Sequence, residues 1–329
     1  MPTEPESEPT TASTSAPAPA PALAGQAATP AGQTATPTGQ AATPVGSGSR
    51  PGSVPAVGYD PAFLGPLVPL PGTPGHVVHE LPYEHFTVLL DPVRRLARAT
   101  VVAIDGAALV DVDRGDDWHL DPRVPADDQA GPEVYARNDL DRGHLVRRRD
   151  PVWGDRATAE RANRDTFAYP NAAPQASGFN QSAELWLGLE DHVLDSARAH
   201  RRRLVVLTQP VLGDDDPPYR GVRVPLLFTK VVVWADAAAE RGLRTAAFLL
   251  DQSPALDVDE LRRGALDGVP PLGPFRTFQV PVAGVAELTG LDLGQLVDTD
   301  VLAPLPTAGR PTGPAADRRP LRALVDVVL

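Results

Sequence analysis

The chain has 329 residues, a net charge of −12, 38 prolines, 28 glycines and no cysteine. The lack of cysteine excludes a disulfide framework and a thiolate metal site, and no window approaches the roughly 18 continuous apolar residues of a membrane-spanning helix. An acidic total speaks against a basic-stripe nucleic-acid binder, although charge focused in a cleft acts locally whatever the total.

Residues 1–55 are almost entirely Pro, Ala, Thr, Gly, Ser and Gln. The units GQAATP, GQTATP and GQAATP begin at Gly25, Gly32 and Gly39, a seven-residue repeat. No Leu or Ile recurs at two positions of each unit and each carries a proline, so a coiled coil is ruled out. Such a stretch cannot bury enough apolar surface to offset its ordering entropy, and it reads as a disordered tether. No positive region followed by an apolar run opens the chain, so no signal peptide is expected. The expectation is a soluble protein, cytoplasmic or exported by a non-classical route, with no membrane partner.

From residue 56 onward the composition is that of a single domain, with an extension from about 300. HFTVLLD (85–91) and ATVVAID (99–105) are predicted strands, rich in β-branched and aromatic residues and bounded by polar turns. PVRRLAR between them is a tight basic connection, and 111–133, rich in Asp, Pro and Gly, is loop. Arg142 to Val146 is a short strand or strand end. SAELWLGLEDHVLDSARAH (182–200) is the best helix: Leu185, Leu189, Val193 and Ala197 share one face, and Asn180 or Ser182 caps it. Strands follow at 204–212, 225–236, 244–252 and 277–282, a short helix at 285–297, and a last strand or docked segment in PLRALVDVVL. Strands outnumber helices and do not alternate with them regularly, which predicts an α+β fold on a mixed, mainly antiparallel sheet.

The chemistry concentrates in the middle of the chain. From Arg137 to Arg164 eight arginines face five acids, a local balance of +3. His144 follows Asp141, Arg142 and Gly143, and the glycine permits close backbone approach. A lone histidine is more often structural. An imidazole that titrates near neutrality can also take a proton from water, and arginines and a divalent ion supply the counter-charge a phosphodiester needs. Arg147, Arg148 and Arg149 follow; if extended, at most two face one side, and a solvated basic edge is the plainer reading. In NAAPQASGFNQ (171–181), the amides of Asn171, Gln175 and Gln181 fit stapling of a loop, whereas the oxygen of Asn180 is a hard ligand suited to Mg²⁺. Glu190 lies ten residues beyond Asn180. Core packing is the default for Trp118, Trp153, Trp186 and Trp234.

DRGH at 141–144, NAAPQASGFNQ at 171–181 and W-x3-E from Trp186 to Glu190, in this order, resemble the DNA/RNA non-specific endonuclease family. The likeness extends more loosely from about His85 to Asp292 and does not reach residues 1–55. It implies a ββα-metal (His-Me finger) nuclease fold, a Mg²⁺ cofactor with Mn²⁺ as substitute, and cleavage of DNA and RNA without sequence preference to leave 5′-phosphate ends. By the resemblance His144 is the general base, Asn180 the direct protein ligand of Mg²⁺, and Glu190 the acid that orients water at the metal. Arg142 assists phosphate binding, and Asn171 and Asp141 are supporting positions. The expected catalytic set is therefore His144, Arg142, Asn180 and Glu190, with Asn180 and Glu190 at the metal and Arg147, Arg148 and Asn171 contacting substrate. A cognate inhibitor protein is a further partner in such a setting. Two departures stand out: Leu194 occupies a position where some members carry an arginine, with Arg198 a turn further on, and Trp186 lies six residues beyond Asn180. The alternative is an inactive member that binds nucleic acid or protein.

Overall fold

In chain order the strands are β1 (His79–Tyr83), β2 (Phe86–Asp91), β3 (Leu96–Asp105), β4 (Leu140–His144), β5 (Ala172–Ala176), β6 (Arg203–Val211), β7 (Pro218–Tyr219), β8 (Val222–Arg223), β9 (Leu227–Ala235), β10 (Leu243–Asp251), β11 (Arg276–Val280) and β12 (Arg319–Pro320). The helices are α1 (Pro132–Tyr135), α2 (Arg156–Asp165), α3 (Trp186–Ala199) and α4 (Val282–Thr289). This computed structural model describes residues 58–137, 140–176, 186–256, 276–302, 318–321 and 327, and for 186–192 and 255 the backbone alone. The expected tether, Asn180 and Gln181, the start of the 182–200 helix and most of the region beyond 302 lie outside the described residues.

Eight strands form one sheet in the order β1-β2-β3-β6-β9-β10-β11-β12. Every pairing between named strands is antiparallel; parallel contacts occur as isolated bridges such as His119 with Ala168. The sheet is thus mainly antiparallel with few helices, as the strand-rich order requires. Its central strands are buried on both faces, which explains why β6, β9 and β10 read as nearly continuous apolar runs rather than alternating ones.

Alternation along each strand sends neighbours to opposite faces. Val102, Ile104, Val206, Phe228, Val232 and Phe248 lie in one cluster, which also takes in Leu145, Ala173, Val193, Leu194 and Ala197 from β5, α3 and the residue after β4. Val101, Ala103, Val205, Val231, Val233 and Leu249 lie in the other, against Tyr59, Phe63, Leu64, Val68 and the α4 residues Val282 and Val285. The first layer carries β4, β5 and α3, and hence the motif-bearing residues.

Several boundaries differ from expectation. The basic connection after β2 is only a turn, and β3 begins at Leu96. β1 carries no strand signal in the sequence, because HELPY has a proline and two charged or titratable residues; it pairs at the sheet edge, where such residues are tolerated. The 156–165 helix carries no apolar periodicity in the sequence, since RATAERANRD is strongly polar. Asp155 caps it, its side chain accepting from the Thr158 N–H. The expected 285–297 helix divides into α4 and a 3₁₀ turn at Gly294–Thr299, because Gly290 takes the left-handed conformation that ends α4.

Candidate active site

β4 and β5 form a two-stranded ladder in which His144 pairs with Ala172, Gly143 with Ala173 and Asp141 with Gln175. Gly143 is required by its partner strand. A Cβ there would meet the Gln175 side chain at 2.1 Å, so the buried glutamine occupies the space that glycine leaves. The chain then turns rather than continuing as strand: Leu145 N–H donates to the Asn171 carbonyl and Asp150 N–H to the Arg147 carbonyl. Arg147, Arg148 and Arg149 therefore lie on a turn, and the two-sided alternation expected of an extended segment does not apply.

Asn171 is fully buried. Its Oδ1 accepts from Val146 N–H at 2.8 Å, and its Nδ2 donates to the carbonyls of Val146 and Thr166 at 3.0 and 2.9 Å. This corrects the assignment of Asn171 to substrate: no accessible surface remains, and its amide brackets the turn that follows His144. At the far end of β5, Gln252 is also fully buried. Its Oε1 accepts from Ala176 N–H at 3.1 Å, and its Nε2 donates to the Pro225 and Pro174 carbonyls at 2.6 and 3.3 Å. That side chain fixes the point from which the chain leaves for Asn180.

The His144 ring packs against two aromatic rings that also touch each other, Trp118 with centroids 4.7 Å away and Phe167 edge-on at 5.1 Å, the Trp118 and Phe167 centroids being 5.4 Å apart. Backbone bonds from His119 N–H to the Phe167 carbonyl and from Tyr169 N–H to the His119 carbonyl strap the Trp118 segment alongside. Trp118 is only half-buried, so the core role expected of it is better described as a wall of the site. The pattern of the sequence could not reveal this, since the wall comes from a loop some 26 residues before the histidine. The Arg142 guanidinium sits 5.3 Å over the Trp118 ring and 3.6 Å from Asp116.

The Nε2 of His144 is buried and has no hydrogen-bond partner among the described residues. Burial pushes the imidazole pKa down from 6.5 to about 3, and the charges of Arg114, Arg148 and Arg142 push the same way. The ring is neutral at physiological pH. Arg114 was not singled out by the motifs; the arginine-rich electrostatics around His144 identify it.

The remaining expected residues divide. Arg148 is tied down, its Nη1 donating to the Val112 carbonyl and to Asn163 Oδ1, both at 3.0 Å. Through that nitrogen Arg148 joins α2 to the loop after β3. Arg147 is half-buried at the start of the turn. Leu194 is 1% exposed within the core, so its position on α3 faces the sheet layer. Arg198 pairs with Asp111 at 3.1 Å and Arg149 with the same carboxylate at 3.7 Å. Glu190 lies in α3, whose backbone alone is described there, and Asn180 lies outside the described residues.

No group of three or more His, Cys, Asp or Glu side chains is placed to hold a metal ion among the described residues. A donor set of one amide oxygen and one carboxylate needs no such group, because water and phosphate oxygens complete the shell of a hard cation.

Comparison with known proteins gives the family. The chain is 37% identical over 289 residues to the uncharacterized protein y4fB of Sinorhizobium fredii, covering 79% of this chain and 42% of that one. It is 28% identical over 187 residues to mitochondrial endonuclease G of Bos taurus (53% and 54% covered) and 28% identical over 222 residues to that of Homo sapiens (63% and 67%). The chain thus spans about half the length of the first two of these relatives. A crystal structure of a complex of EndoG with EndoGI superposes with a TM-score of 0.49 at 22% identity, covering 67% of this chain and 86% of that one. The model of the DNA/RNA non-specific endonuclease family matches residues 70–300, from before β1 to past α4, and the chain belongs to that family.

Proposed function

We propose that the chain is a Mg²⁺-dependent endonuclease that hydrolyses phosphodiester bonds in DNA and RNA with no sequence preference and leaves 5′-phosphate ends. The observation that carries this reading is His144: a neutral imidazole whose Nε2 has no partner among the described residues, packed against the contacting rings of Trp118 and Phe167 and bordered by Arg114, Arg142 and Arg148. Family membership supports it.

His144 takes the proton of the attacking water at Nε2, which its neutral state permits. Arg142, braced on the Trp118 ring, offers its guanidinium to non-bridging phosphate oxygens, and the charge of Arg114 adds to the same field. Asn171 and Gly143 hold the histidine's strand and the turn after it in register. Asn180 and Glu190 would hold Mg²⁺, which supplies charge neutralisation at the phosphate and the departing oxygen. Contacts of this kind act on the backbone and read no bases, in keeping with the lack of sequence preference. A cognate inhibitor protein is the further partner proposed.

The decisive experiment is incubation of the purified chain with supercoiled plasmid and with RNA, with Mg²⁺ and with EDTA. Cleavage of both with Mg²⁺ and none with EDTA is expected. His144→Ala should reduce turnover about 10²- to 10⁴-fold while retaining nucleic-acid binding, and Asn180→Ala should weaken Mg²⁺ binding in a calorimetric titration without unfolding the domain. Full activity in His144→Ala would remove His144 as base. Binding with no cleavage under any metal would instead support the inactive, binding-only reading.

A further inference from the structure

Asp111 lies in the loop after β3, with its side chain 77% exposed. Both of its oxygens accept from Arg198 Nη2, at 3.2 and 3.1 Å, and the Arg149 guanidinium stands 3.7 Å away. Three segments distant in sequence meet here: this loop, the turn after His144 and the last turn of α3. Two guanidiniums converging on one exposed carboxylate match the chemistry that binds a phosphodiester, which likewise carries one negative charge on two equivalent oxygens.

Stability does not account for the arrangement. Exposed ion pairs contribute little to folding, and the loop is already pinned through its backbone. Arg148 Nη1 donates to the Val112 carbonyl at 3.0 Å, and Arg156 Nη1 donates to the Asp111 carbonyl at 3.3 Å. The position also suits an extended substrate. Arg198 lies eight residues beyond Glu190 on α3, about 12 Å along the helix axis. A phosphate held at this distance is a different one from that at the level of Glu190.

We propose that Arg149 and Arg198 form a second phosphate-binding subsite, for a backbone phosphate other than that of the cleaved bond, and that the Asp111 carboxylate occupies it until nucleic acid displaces it. The subsite deepens the nuclease reading and rests on it. Asp111 competes with substrate here, so removing the acid and removing the arginines must act in opposite directions.

The test uses the full chain and compares Asp111→Asn, Arg149→Ala, Arg198→Ala and Arg198→Lys. Steady-state cleavage with Mg²⁺ is measured on a long duplex and on an oligonucleotide too short to reach from the cleaved bond to the subsite. Equilibrium binding of the long duplex is measured in EDTA. On the long duplex Asp111→Asn should lower KM and Kd about three- to tenfold, and each arginine-to-alanine variant should raise them by a similar factor, with kcat unchanged. Arg198→Lys should restore part of the loss. The salt dependence of log Kd should become shallower by about 1 in Arg198→Ala. On the short oligonucleotide the four variants should match the parent. Shifts of the same sign for Asp111→Asn and Arg198→Ala would show a structural staple and overturn the subsite, as would shifts independent of substrate length. Absence of cleavage in the parent overturns the nuclease reading, while opposite-sign shifts in the EDTA binding data would still support the subsite.

Discussion

His144 is held neutral by burial and by the charges of Arg114, Arg148 and Arg142, in that order of effect. The sign of the consequences follows. Between pH 6.5 and about 3 the unfolded histidine binds a proton that the folded one does not, so this residue stabilises the fold less as pH falls through that window. In catalysis the same depression means that the free enzyme keeps its base unprotonated far into acid. In the proposed complex, bound phosphates would offset the three arginines and raise the imidazole pKa. The acid limb of kcat/KM is therefore expected well below 6.5, with the acid limb of kcat at higher pH than that of kcat/KM. A pH–rate profile measures both, and coincident limbs near 6.5 would contradict the electrostatic assignment. The motif DRGH made His144 visible in the sequence. Its neutral state was not visible, because it depends on Trp118, Phe167 and Arg114, which the fold brings in from other segments.

At the scale of elements, the site is a ladder and a helix laid on one face of the sheet. β4 meets β5 through the fit of Gly143 to the Gln175 side chain. Gly143→Ala places a Cβ 2.1 Å from that side chain and should destabilise the protein by about 1–3 kcal/mol, the usual cost of overpacking. The double variant Gly143→Ala, Gln175→Ala should recover part of that loss, and denaturant unfolding of the two single variants and the double measures the coupling. Additive losses would show that the two positions do not share one space. The bracing roles of Asn171 and Gln252 were only half legible. A run of amides after the arginine-rich segment signals a polar network. Which amides hold the backbone, and which are left for ligands, is decided by burial: Asn171 is at 0% exposure. Arg148 makes the same point, since its charge was legible but its bonds to Val112 and Asn163 depend on where α2 docks.

At the scale of the whole molecule, a chain of net charge −12 presents arginines around one histidine on one face of a two-faced sheet. The contacts divide the chain after Ser53, with Val54–Leu329 as one unit. Residues 1–53 have the composition of a tether, and a chain beginning at Val54 is expected to keep the thermal midpoint and the turnover of the full protein; a fall in either would give the Pro/Ala-rich segment a folding role. The sequence by itself determined the class of fold, since β-branched runs too apolar to alternate must be buried on both faces of a sheet. It also marked His144 as the proposed base, because DRGH followed by NAAPQASGFNQ is a local pattern. Only the tertiary structure decided which arginines act on that base, that Asn171 is a brace, and that Asp111 stands between Arg149 and Arg198. Those outcomes depend on distances between segments far apart in the chain, and burial and charge act across space rather than along the sequence.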